Sequence, residues 1–63
     1  MEISALKIGR HVSCPPDRGD LGYNGKITHI GTHEDTNSLG RKFVWVEVQG
    51  PTHKSVWPSH RLG

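Results

Sequence analysis

"FVWVEVQGPTHKSVWPSHRL", residues 43–62, decides the fold. Val44, Val46 and Val48 alternate with Phe43, Trp45 and Glu47, the period-two pattern of a strand with two unlike faces. "QGPTH" then supplies the Gly and Pro of a turn, and "KSVW" at 54–57 returns as a second strand. Pro58 presets φ for a turn and Ser59 suits its start, so "PSHRL" is predicted to close as one short 3₁₀ turn. Pairing the two strands around Gly50 to Thr52 sets Val46 opposite Val56 and Trp45 opposite Trp57, so both tryptophans are expected on one face. Valines fill the other face. The tryptophan face is then either a second small core under the first loop or a partly exposed platform.

Upstream, "IGRHVSC" at about 8–14 reads as a first strand that stops at Pro15-Pro16, because proline cannot donate ladder hydrogen bonds. "PPDRGDLGYNG" follows as a long, glycine-punctuated loop. "GKITHIG" at 25–31 reads as the second strand, but Ile27 and Ile30 are three apart rather than two. Either a bulge near Thr28 and His29 turns both inward, or the strand coils at a barrel corner. "THEDTNSLGRK" is polar and loop-like. No repeat or linker interrupts the pattern, so residues 1–63 are predicted to form one all-β domain.

Bulk composition agrees. A 63-residue chain buries only about 60% of the surface its unfolded form exposes, so its core must be thin. With 32% hydrophobic residues, 8 glycines and 4 prolines, short strands and turns are favoured over long helices. The single cysteine, Cys14, rules out an intramolecular disulfide and suggests a reducing, cytoplasmic setting. "MEISALKIG" lacks the basic start and long apolar region of a secretory signal, and no window approaches a membrane span. A formal charge of +2 permits nucleic-acid binding without demanding it, so the placement of the charges matters more than their sum.

The order of these signals resembles the SH3-like barrel, in particular the small KOW and Tudor-type barrels. The residues that carry the resemblance are "LKIGRHV", "GYNGKITHI", "FVWVEV" and "VWPSHRL". It implies a barrel of four or five short antiparallel strands with a C-terminal 3₁₀ turn. KOW modules imply contacts with RNA or nucleoprotein assemblies, and Tudor modules imply peptides or modified side chains held by aromatic cages. "GRHV", "NGKITHI" and "SVWPSHRL" also fall in an order similar to the plasmid-borne type II dihydrofolate reductases, which assemble around a shared pore. That family needs a Val-Gln-Ile-Tyr stretch in its last strand, where this chain has Ser55-Val56-Trp57-Pro58. The reductase activity is therefore not carried over.

Trp45, Trp57 and Tyr23, interleaved with Arg41, Lys42, Lys54 and Arg61, form the expected binding surface: aromatic faces stack on bases while cations neutralise phosphates. Acidic pairs such as Glu34-Asp35 could interrupt it. Asp17, Arg18 and Asp20 in the first loop can reach a ligand at its tip. His29 and His33 have helix-type spacing in a strand-to-loop segment, and there is no paired Cys-x-x-Cys, so no metal site is expected. No nucleophile motif, phosphate-binding glycine loop or carboxylate pair appears, so neither catalysis nor a cofactor is expected. The leading expectation is a binding module for nucleic acid or a nucleoprotein. A protein-interaction module that binds a peptide or self-associates is the alternative, and an oligomeric reductase-like enzyme the third.

Overall fold

The computed structural model describes residues 1–16 and 21–63. Among the described residues six strands, β1 (His11–Cys14), β2 (Tyr23–Ile30), β3 (Asp35–Thr36), β4 (Lys42–Phe43), β5 (Trp45–Gln49) and β6 (Lys54–Pro58), lie between two 3₁₀ turns, η1 (Ile3–Ala5) and η2 (Ser59–Arg61). β1-β2-β5-β6 form one antiparallel sheet in that order, and β3-β4 form a two-stranded hairpin. The fold is all-β, and the C-terminal 3₁₀ turn begins at Ser59 as its sequence suggests.

The first strand starts at His11 rather than near residue 8, because Gly9 adopts φ 89° in a turn closed by Arg10 N–H donating to Lys7 O at 3.1 Å. That is the third turn position, where positive φ favours glycine. In β2 the odd spacing of the isoleucines is a bulge: Ile27 pairs with Val48 but His29 pairs with Glu47. Thr28 is the extra residue, and Ile30 consequently falls opposite Val46. Gly25 is buried where a Cβ would overlap the Val48 Cγ1 and meet Gln49 O at 2.8 Å, so β2 crosses β5 only because no side chain intervenes.

The segment 32–42 is not a plain loop. It carries β3 and begins β4, and Asn37 Oδ1 shapes the hairpin by accepting from Leu39 N–H at 2.9 Å and Arg41 N–H at 3.0 Å, a side-chain mimic of a backbone turn. "FVWVEV" is split at Val44, whose backbone turns to η2: Val44 N–H donates to Ser59 Oγ at 3.1 Å and Ser59 N–H donates to Val44 O at 2.9 Å.

Leu6, Val12, Cys14, Ile27, Val44, Val46, Val48 and Leu62 form the core. Past η2, Gly63 and Ser13 exchange backbone hydrogen bonds of 2.9 and 3.1 Å, so the chain returns from β6 to the outer edge of β1. The Met1 ammonium donates to Ser59 O at 3.0 Å and Leu62 O at 2.7 Å beside the same closure. No helix among the described residues is long and apolar enough to cross a membrane.

Candidate functional site

The ladder of the last hairpin corrects the expected register by one residue. Val46 pairs with Trp57, Glu47 with Val56, and Trp45 with Pro58. The cause lies in the turn, where Gly50 N–H donates to His53 O at 2.9 Å, leaving Pro51 and Thr52 as a two-residue loop with proline at the turn position that suits it. A one-residue slip moves every side chain of a strand to the other face. Trp57 therefore joins Val46 on the core side, Val56 faces outward at 58% exposure, and the two tryptophans lie on opposite faces of the sheet.

On the core side, Trp57 is half-buried and its indole N–H is shared between Tyr23 Oη at 3.0 Å and Ser55 Oγ at 2.9 Å. Tyr23 and Ser55 are also hydrogen-bonded to each other. The Tyr23 ring meets Trp57 edge-on at 6.3 Å, and the Arg61 guanidinium lies 5.7 Å above the Trp57 ring. Tyr23, Trp57 and Arg61 are thus brought together, but apart from Trp45, and the hydroxyls of Tyr23 and Ser55 and the Trp57 indole N–H are matched among themselves. Tyr23 and Arg61 border an open groove of about 500 Å³ that continues past Pro15, Pro16 and Leu21. Cys14 lines its floor; burial pushes its thiol above the ordinary value of 9.0, opposed in part by a hydrogen bond with Tyr23. Asp17, Arg18 and Asp20, expected to contact a ligand from this loop, lie outside the described residues.

Trp45 stands on the other face, 46% exposed. Its indole N–H donates to Asp35 Oδ2 at 3.0 Å, and its ring meets the edge of Phe43 at 5.5 Å. Phe43 is buried and also packs against His60 at 4.9 Å. Asp35 Oδ1 lies 3.4 Å from His33 Nε2. The carboxylate expected to interrupt a basic surface instead fixes the exposed tryptophan by its indole N–H.

The three ladders place His11 beside Lys26, Lys26 beside Gln49, and Gln49 beside Lys54. All four are exposed and, being directly opposed neighbours, they share the outer face. At about 4.8 Å per strand the row spans about 14 Å. Ser13–Asn24 lies to one side of it, and His29–Glu47–Val56, then Trp45–Pro58, to the other. Lys54 and Trp45 therefore do share a face, whereas Arg41 and Lys42 line a separate groove of about 340 Å³ with Met1, Glu2, Ile3 and His60. His11 and Gln49 are not part of the binding surface expected from the sequence, because only the register of all four strands aligns them.

No group of three or more His, Cys, Asp or Glu side chains among the described residues is placed to hold a metal ion. Comparison of the chain with protein-family models, with curated proteins and with solved structures returns no match.

Proposed function

We propose that this chain is a non-catalytic binding module that engages nucleic acid, alone or within a nucleoprotein, through the outer face of its four-stranded sheet. The observation that carries the reading is the exposed row His11–Lys26–Gln49–Lys54. Lys26 and Lys54 stand about 10 Å apart across one intervening strand, so they can neutralise successive phosphates while Gln49 supplies a hydrogen-bonding amide between them. Trp45, held by Asp35 at 3.0 Å, offers a ring face for base stacking, a contact of about 1–3 kcal/mol. The return of the chain end to Ser13 supports reading the sheet as closed in the manner of an SH3-like barrel. A buried, unpaired Cys14 suits a reducing compartment.

Binding of a single-stranded oligonucleotide over a salt series tests the proposal. Each phosphate neutralised contributes about 0.7 to the slope of log affinity against log salt for a single strand. Reversing Lys26 and Lys54 to Glu together should therefore lower that slope by about 1.4. Trp45→Ala should weaken binding about 5- to 150-fold with the slope unchanged. Absence of binding at low salt, or a slope the reversals do not move, overturns the reading.

A further inference from the structure

The hydrogen-bond pattern of the last hairpin identifies what the outer edge of β6 presents. Gly50 N–H donates to His53 O at one end of the ladder, and Ser59 N–H donates to Val44 O at the other. Hydrogen-bonded and non-bonded pairs alternate along an antiparallel ladder, so the bonded pairs between those ends are Val48–Ser55 and Val46–Trp57. Lys54, Val56 and Pro58 consequently turn their backbone groups away from β5. Among the described residues no strand pairs with β6 on that side. The edge carries a β-branched apolar residue, Val56, at 58% exposure, next to the half-exposed Trp45.

We propose that two copies of this chain pair edge to edge through β6, antiparallel about Val56, in a continuous sheet of eight strands, four from each copy. In this register each Val56 exchanges both backbone bonds with its counterpart, and each Lys54 N–H reaches the Pro58 carbonyl of the other copy. Lysine and proline are residue types that blunt sheet edges. Here they are seated opposite one another, so the missing proline N–H leaves only the Lys54 carbonyl to water. Sliding one step to the in-phase register with Lys54 opposite Val56 brings the two lysines to adjacent positions and moves the valines out of direct opposition. The register about Val56 does the reverse, stacking the apolar side chains at the two-fold axis and keeping the like charges apart.

The pairing also completes the binding face, a consequence that rests on the nucleic-acid reading. Within one copy Trp45 is two side-chain rows away from Lys54, since they pair with Pro58 and Gln49 respectively. Across the axis, Lys54 of one copy falls in the row that holds Pro58 and Trp45 of the other. Each basic row then runs on into a tryptophan supplied by the second copy.

Sedimentation equilibrium of the full chain without nucleic acid tests the pairing, so a failure here is separate from a failure of nucleic-acid binding. The expected result is a concentration-dependent dimer in the wild type. Val56→Pro should be monomeric with an unchanged circular dichroism spectrum, because the Val56 N–H makes no ladder bond within the chain and proline is tolerated at such edge positions. Val56→Lys, which places like charges at the axis without touching the backbone, should weaken dimerisation at least tenfold. A wild type that stays monomeric to about 1 mM, well above the range of specific association, or a dimer that persists unchanged in Val56→Lys, overturns the proposal.

Discussion

Replacing Ser59 by alanine removes one buried oxygen and should destabilise the whole fold. Ser59 is 1% exposed and Val44 2% exposed, and the Ser59 hydroxyl oxygen, at 3.1 Å, accepts the Val44 N–H. In Ser59→Ala that buried N–H loses the acceptor it has in the fold. An unsatisfied buried donor costs about 1–3 kcal/mol. A domain of this size has a total stability of about 3–9 kcal/mol, so the substitution removes a large share of it, and at about 4–8 °C per kcal/mol it should lower Tm by roughly 8–16 °C for a loss near 2 kcal/mol. Urea unfolding followed by tryptophan fluorescence measures the change, with Ser13→Ala as control, since the Ser13 hydroxyl donates to Asn24 Oδ1 in an exposed pair and should change stability by no more than about 0.5 kcal/mol. If Ser59→Ala matches the control, Val44 has another acceptor and the junction between β5 and η2 is not held as described.

Gly25→Ala should destabilise by about 1–3 kcal/mol in the same assay, because the added methyl meets Val48 and the Gln49 carbonyl; a neutral result would mean that β2 can move off β5. Cys14 gives a pH effect of defined sign. Its folded-state value lies above the unfolded 9.0, so the folded state holds the proton longer; stability is full below about pH 9 and falls as pH rises beyond it. The fall from pH 8 to pH 10 should be smaller in Cys14→Ala than in the wild type. Acrylamide should quench the fluorescence of Trp57→Phe, which retains only the half-exposed Trp45, more strongly than that of Trp45→Phe, and equal quenching would contradict their placement on opposite faces.

The valine alternation and the terminal turn were legible because each rests on local chemistry, a period-two face and a proline followed by serine; two isoleucines three apart marked the irregularity in β2 but left a bulge and a barrel corner as alternatives. The register of β5 and β6 was not, since "QGPTH" can close with either two or three loop residues, and the choice depends on Pro51 taking the first turn position. The β3–β4 hairpin was hidden in a polar segment, although Asn37 and Gly40, at φ 79°, were its available signals. The candidate site was legible only in pieces. Lys26, Lys54 and Trp45 stand out as residue types, but their common face, and the removal of Trp57 from it, follow from three ladder registers at once. Asp35 beside Trp45 joins residues from different strands, which no spacing along the chain reveals.

The Gly50–His53 turn also sets how this scaffold can change. The chain's inside and outside along β6 depend on the parity of the loop count. Inserting one residue between Pro51 and Thr52 would send Val56 into the core and bring Trp57 out beside Trp45, creating an aromatic pair on the lysine face from an unaltered strand sequence. Ser59 opposes that exchange, because its two bonds to Val44 at 2.9 and 3.1 Å hold the far end of β6 to its present count. A second, compensating residue deleted before Ser59 would release it. Two indels, with no substitution at all, would therefore interconvert a chain with one outward tryptophan and a chain with two.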